Sequence, residues 1–218
     1  MSHIEIRIAL VLSLLVAGIS PSQADSVASG LSIIEAQVTK GRAAKTGYTR
    51  AQFGQTWADV DRNGCDTRND ILKRDLTGEI FKEKTRDCVV LSGTLIDPFS
   101  GETINFVRGN LSSMEVQIDH VVALSNAWQT GAFKLSIKER TAFANDPLNL
   151  LAVKGRLNSQ KGDGDAATWL PPLKSFRCDY VSRQIAVKLK YKLWFTAPEK
   201  VAMVRILKSC PEKALPKS

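Results

Sequence analysis

The sequence predicts an α+β fold in which small antiparallel strand pieces lie among helices. Two β-rich runs, 87–97 and 103–107, flank the turn sequence Pro-Phe-Ser-Gly-Glu and therefore predict a hairpin. Apolar residues recur at helical spacing over 67–75. After residue 175 the same spacing predicts two further helices, divided at Pro198. This mixture of short strands and helices indicates the α+β class.

The first 24 residues have the features of a secretory signal peptide. A short polar lead precedes an almost entirely apolar run at 8–19, and small residues, Ser22 and Ala24, stand where a signal peptidase prefers them. The apolar run is shorter than the roughly 20 residues that span a bilayer. We therefore expect a mature chain that begins at Asp25, is secreted or periplasmic, and has no stable membrane association. A retained N-terminal anchor is the alternative.

The rest of the chain is long enough to form one domain with a core. We expect an N-terminal flank at 25–48 and a domain at 49–218. Apolar periodicity and capping residues predict the remaining elements in order: helices at 26–40 and 49–58, a strand at 114–118, helices at 126–132 and 136–145, a strand at 148–153, and a helix at 154–161.

The chain is basic, with 30 Lys and Arg against 22 Asp and Glu and a net charge of +8. Such a balance favours anionic partners, either nucleic acid, acidic polysaccharide or an anionic membrane surface, and does not choose among them. Several lysines near the C-terminus either follow a phosphate backbone or form a solvated basic face: Lys188, Lys190, Lys192 and Lys200.

Four cysteines, all after the predicted signal peptide, favour two disulfides. Three pairings are possible, and the pairing Cys65–Cys88 with Cys178–Cys210 is favoured because each bridge closes a local loop. A zinc site is the competing use of four cysteines. It is disfavoured because the scattered positions contain no C-x-x-C pair.

Histidine is scarce. His3 falls in the signal peptide, so His120 is the only imidazole of the mature chain, directly after Asp119 at the end of a predicted strand. This excludes metal sites that need two histidines and mechanisms that need separate histidine acid and base. Serine, threonine or cysteine chemistry with His120 as base stays formally open. However, the G-x-S-x-G elbow of the α/β-hydrolases does not occur.

Three short motifs follow one another at fairly specific spacing. Asp119-His120 comes first, Asn149 follows in Asp-Pro-Leu-Asn-Leu, and Asn158 and Lys161 stand in Asn-Ser-Gln-Lys. In this order they resemble the HNH (ββα-metal, or His-Me finger) endonucleases. They are most similar to exported proteins related to the C-terminal domain of GmrSD-type restriction enzymes.

The resemblance is strongest over 115–172, and an upstream segment at 63–70 resembles the exported relatives as well. It implies a ββα-metal core at about 114–172, flanked by an N-terminal helix and hairpin segment and by C-terminal helices. The family's motif implies three catalytic residues, His120 as the general base, Asp119, and Asn149 as a loop-bracing residue that orients the histidine.

The resemblance also implies a divalent metal. Asp119 and Asn158 match the family's ligands, and two protein oxygens suit Mg²⁺, with Mn²⁺ as the second choice. Many relatives have His or Asp where this chain has Asn158, so Asp163 or Asp165 is an alternative ligand. Lys161 is expected to contact a substrate phosphate.

Arg68, beside Cys65, either binds the scissile phosphate or belongs to a helix start tied down by a disulfide. Together these features predict an exported, metal-dependent endonuclease that cuts DNA, or RNA, with little sequence preference. The alternative is a non-catalytic basic protein that binds nucleic acid or another polyanion. Whether an immunity or inhibitor protein binds this chain is left open.

Overall fold

The computed structural model describes residues 28–109 and 112–217. The predicted signal peptide and its cleavage site lie outside the described residues. Seven helices and five strands occur in the described part: α1 Gly30–Glu35, α2 Thr67–Asp75, β1 Leu76–Phe81, β2 Val90–Ile96, β3 Thr103–Val107, β4 Val116–His120, α3 Leu124–Gln129, α4 Ile137–Ala144, β5 Leu150–Lys154, α5 Gly155–Lys161, α6 Arg177–Lys190 and α7 Ala197–Leu207. The predicted α+β class, with small sheets, is confirmed.

The predicted hairpin of β2 and β3 is the centre of a three-stranded antiparallel sheet, with β1 as its third strand. The sequence analysis missed β1. Its pairing with β2 has register shifts between Thr77 and Phe81, and Gly78 adopts a positive φ of 62°. This irregular, largely exposed strand lacks the regular alternation by which strands are recognised in a sequence.

The second sheet consists of β4 and β5 alone, and α5 follows β5 without a linker. The two strands pair antiparallel from Val116↔Lys154 to His120↔Leu150. Gly155 makes the direct passage into α5 possible, since a Cβ at this position would lie 1.9 Å from the Met114 carbonyl oxygen. The chain thus places the last residues of β4 beside the helix that carries Asn158 and Lys161.

This strand pair lies between two hydrophobic clusters. Ile118 and Ala152 pack with the three-stranded sheet and α2. Leu151 and Val153, which point to the opposite face, pack with α6 and α7. Because both faces are covered, the ends of β4 and β5 are held in place by the core of the protein.

The prediction of a helix at 49–58 is wrong. Only a 3-10 turn at Arg50–Phe53 forms, and the Thr49 side chain caps no backbone N–H. Gly54 ends the turn with φ of 78°, and Trp57 has φ of 56°, so the chain reverses where a helix would continue. Tertiary packing outweighs helical propensity here, because Phe53 is buried in a cluster with α3 and α4.

The cysteines form the two disulfides that the sequence analysis favours, Cys65–Cys88 and Cys178–Cys210. The first joins the start of α2 to the segment before β2, and the second joins α6 to the residues after α7. None of the described helices is long and apolar enough to cross a membrane.

We expect removal of the second bridge by Cys178→Ser with Cys210→Ser to lower the free energy of unfolding by about 2–5 kcal/mol, because the unfolded chain gains conformational freedom. Urea unfolding of the oxidised wild type and the variant, followed by circular dichroism, measures this difference. A difference below about 0.5 kcal/mol contradicts the prediction.

Candidate active site

His120 is the last residue of β4, and its ring is held by two contacts. Nε2 lies 2.8 Å from the carbonyl oxygen of Ala144, at the end of α4. The ring also stacks on Trp57, with 6.0 Å between ring centroids and 13° between planes. A carbonyl oxygen only accepts hydrogen bonds, so Nε2 of the neutral ring carries the hydrogen and Nδ1 has the free lone pair.

The neutral form of His120 is strongly favoured. Its pKa is lowered to about 4, mainly by burial and to a smaller degree by the positive charges of Arg50 and Lys161, whereas the hydrogen bond to Ala144 acts in the opposite direction. At neutral pH the ring is therefore unprotonated at Nδ1. No hydrogen bond from the described residues occupies Nδ1, so this nitrogen is available as a base.

Asp119 precedes His120 and is buried. Its Oδ1 accepts a hydrogen bond of 2.7 Å from Lys161 Nζ, whereas Oδ2 has no partner among the described residues. Burial raises the pKa of Asp119, and the Lys161 charge opposes that rise. Buried carboxylate oxygens normally have a bonding partner. An oxygen without a protein partner, such as Asp119 Oδ2, therefore indicates a place for a cation or an ordered water.

The sequence predicts that Lys161 contacts a substrate phosphate, but its side chain lies inside the protein. Its ammonium group is fully buried and donates to Asp119 Oδ1 and, at 2.7 Å, to the backbone oxygen of His120. The residue thus connects the end of α5 to the end of β4, and its charge is already neutralised inside the protein.

Asn158 lines the same cavity as Asp119. Its Nδ2 donates to Gln117 Oε1 at 2.9 Å. Gln117 Nε2 in turn donates to the carbonyl oxygen of Met114, which fixes the orientation of both amides. No described residue donates to Asn158 Oδ1, so this oxygen is available to a ligand.

These residues surround a cavity of about 90 Å³. Asp119, His120 and Asn158 line it, together with Asp163, which follows the end of α5 by two residues. Its remaining lining residues are Tyr48, Arg50, Ile118, Ala123, Leu124 and Gly162. The cavity is thus open to a small ion or to part of a phosphate group at the junction of β4 and α5.

The donor set fits a hard divalent cation. Asp119 Oδ2 and Asn158 Oδ1 are oxygens without protein donors, which suit Mg²⁺ with water and substrate as further ligands. In the described residues no three His, Cys, Asp or Glu side chains form a metal cluster. A cation here would therefore have few protein ligands, as Mg²⁺ usually does.

Asn149 lies directly behind the histidine and is completely buried. Its Oδ1 accepts a 2.8 Å hydrogen bond from the backbone N–H of Val122, and its backbone oxygen accepts one from Val121. Its Nδ2 lies 3.4 Å from the carbonyl oxygens of Val122 and Phe143. Asn149 thus ties the loop after His120 to the loop before β5.

Three other candidates differ in position. Asp163 lines the cavity but pairs with Lys45 at 3.0 Å. Asp165 is buried, pairs with Arg42 at 2.7 Å and lies outside the lining of this cavity. Arg68 reaches toward the carbonyl oxygen of Val116, at the opposite end of β4 from His120, and does not line the cavity.

Sequence reasoning missed three residues that precede the motifs, Tyr48, Arg50 and Trp57. Arg50 lines the cavity described above and also a smaller one, of about 30 Å³, that His120 and Trp57 share. No local pattern marks these residues, because they meet His120 only through the fold.

Comparison with known proteins shows which family this chain belongs to. The family model described as "GmrSD restriction endonucleases, C-terminal domain" matches residues 66–206, more than half of the chain. The chain belongs to this family. The resemblance to the GmrSD-type domain that the motifs predicted is confirmed, and the family description indicates a nuclease-like protein.

A relative of this GmrSD C-terminal-domain protein occurs in Arthroderma benhamiae and is described as "Uncharacterized secreted protein". It is 36% identical over 193 residues, which cover 88% of this chain and 86% of that protein. No solved structure matches the chain. The GmrSD C-terminal-domain match includes Asp119, His120, Asn149 and Asn158 but begins after Arg50 and Trp57.

Proposed function

We propose that this protein is an exported, metal-dependent endonuclease that hydrolyses phosphodiester bonds of DNA, or of RNA, with little sequence preference. One observation carries the proposal. The neutral His120, whose Nδ1 accepts no hydrogen bond from the described residues, lines the same cavity as Asp119 and Asn158. Each of these two side chains has an oxygen that accepts no hydrogen bond from the described residues. The family match supports nuclease chemistry and a nucleic acid substrate.

In this proposal His120 is the general base. Nδ1 accepts the proton of the attacking water, and the resulting imidazolium is oriented through Nε2, which keeps its hydrogen bond to Ala144. Trp57 covers one face of the ring and limits its rotation. The lowered pKa keeps the base unprotonated over the whole neutral range.

Asp119 Oδ2 and Asn158 Oδ1 would hold the cation. Both are hard oxygen ligands, which suit Mg²⁺, with Mn²⁺ as a substitute. When bound, the cation supplies positive charge that stabilises the charged phosphate in the transition state. Lys161 and Asn149 act as positioning residues. Lys161 fixes the Asp119 carboxylate and the end of β4, and Asn149 fixes the loop after His120.

Export is part of the proposal. The first 24 residues have the pattern of a signal peptide, the relative is described as secreted, and two disulfides are typical of proteins in oxidising compartments. Secreted and periplasmic locations are both compatible with this pattern.

A chelator-controlled cleavage assay tests the proposal. The oxidised protein is incubated with supercoiled plasmid, single-stranded DNA and RNA, with Mg²⁺ or Mn²⁺ and with excess EDTA. We expect cleavage of at least one substrate with metal and none with EDTA.

Asp119→Asn supplies the matched test of the metal ligand. Asparagine keeps an oxygen for Lys161 but removes the charge, and we expect cleavage to fall by about 10²–10³-fold, as for the loss of one electrostatic contact in an active site. The control is Asp87→Asn, an exposed residue at φ 56° where asparagine is well tolerated. Salt-sensitive binding without turnover in all three proteins would favour the non-catalytic polyanion-binding alternative.

A further inference from the structure

We propose that Arg50 binds the substrate phosphate at the active site, and that the segment 46–57, which precedes the family domain, therefore completes that site. This inference rests on the proposed nuclease function. It assigns the phosphate contact to a residue that no sequence motif marks, in place of Lys161 or Arg68.

The position of Arg50 is the first argument. It is the first residue of the 3-10 turn and is exposed, and it lines both cavities that His120 lines. A phosphate next to His120 Nδ1 and the oxygens of Asp119 and Asn158 would therefore lie beside the part of the surface that Arg50 occupies.

The segment that carries Arg50 is firmly anchored. Phe53 is buried, with its ring centroid 5.8 Å from that of Phe143 and 6.4 Å from that of Trp128. Arg140 Nε donates a 2.6 Å hydrogen bond to the carbonyl oxygen of Gln52. Arg50 thus extends from a backbone that is fixed on α3 and α4, and its position beside His120 is a property of the fold.

Gly54 closes this anchored turn. Its φ is 78°, and a Cβ at this position would lie 2.1 Å from Thr141 Oγ1 in α4. Only glycine allows the backbone to approach α4 so closely with a left-handed conformation. The sequence therefore contains a specific residue for holding the segment against the helix whose end contacts His120.

Charge pairing is the second argument. The ammonium groups of Lys161 and Lys45 already pair with two carboxylates that line the cavity, those of Asp119 and Asp163. The Arg50 side chain makes no hydrogen bond or ion pair with another residue of 28–109 and 112–217. Its guanidinium has five donors available and can bind two phosphate oxygens at once.

The test compares Arg50→Ala, Arg50→Lys and the control Arg205→Ala, which removes an equal charge from an exposed position on α7. Binding of a fluorescent DNA oligonucleotide is measured by anisotropy in EDTA, where cleavage is prevented, at several salt concentrations. Cleavage of the same oligonucleotide is measured with Mg²⁺ under single-turnover conditions.

We expect Arg50→Ala to reduce the slope of log K against log salt by about 0.7–0.9, the value for one phosphate contact. The cleavage rate should fall by about 10²–10³-fold. Arg50→Lys should keep the slope and recover only part of the rate, because lysine retains the charge without the planar fork. Arg205→Ala should cleave within about twofold of the wild type, because Arg205 lines neither of the cavities that His120 lines.

The outcomes separate this inference from the proposed function. If the wild type cleaves and Arg50→Ala keeps either its rate or its salt slope, Arg50 does not bind the reacting phosphate and the inference is wrong, while the nuclease function stands. If the wild type does not cleave any substrate with metal, the proposed function is wrong. In that case the salt slope alone decides whether Arg50 binds phosphate.

Discussion

Replacing His120 with alanine is expected to lower the single-turnover rate of DNA cleavage by about 10²–10⁴-fold, the usual contribution of a general base. The reason is that Nδ1 is the unprotonated nitrogen of His120 and that His120 lines the cavity. The measurement is plasmid nicking with Mg²⁺, with the wild type and variant purified in parallel.

His120→Gln is the matched control for structure. A glutamine side chain can still donate an amide hydrogen to the carbonyl oxygen of Ala144 but supplies no base. We expect both variants to retain the circular dichroism spectrum and both disulfides. Cleavage by either folded variant within tenfold of the wild-type rate would show that the histidine is not the base.

The second large effect is on stability and concerns Lys161. Replacing it with methionine leaves the Asp119 carboxylate buried without its counter-ion, and the loss of one partner of a buried pair costs about 3–5 kcal/mol. We expect urea unfolding of Lys161→Met at pH 7, with disulfides intact, to show a decrease of this size.

Two further variants make that result specific. Lys161→Met combined with Asp119→Leu removes both charges and should regain most of the stability without any cleavage activity. Lys45→Met removes a lysine from the pair with Asp163, in which both side chains are about half exposed, and should cost no more than about 1 kcal/mol. Equal losses in Lys45→Met and Lys161→Met would contradict the assignment of Lys161 as an internal counter-ion.

Local signals predicted much of the fold. Helix α2 has the expected bounds, since Asp66 caps it and apolar residues follow at helical spacing. The strand that ends at His120 and the helix that carries Asn158 were also predicted, because both are short segments with their own pattern. Both disulfides close local loops, and sequence separation was enough to favour them.

The features that were not predicted depend on contacts between distant parts of the chain. Arg50 and His120 meet only after the 3-10 turn has packed on α4, so no periodicity relates them. Lys188 belongs to a basic run that predicts a solvated or phosphate-binding face, yet it is buried and pairs with Glu199 at 2.6 Å. A lysine's burial depends on a partner carboxylate from another element, which one segment of sequence cannot reveal.

The salt link between α5 and β4 has a consequence for biogenesis. In small zinc domains the free energy of metal binding drives folding, and the polypeptide stays unfolded without the ion. Here an ammonium group occupies one carboxylate oxygen from within the chain. If the proposed cation binds beside Asp119, we therefore expect it to bind a chain that has already folded, so that folding does not depend on a supply of metal.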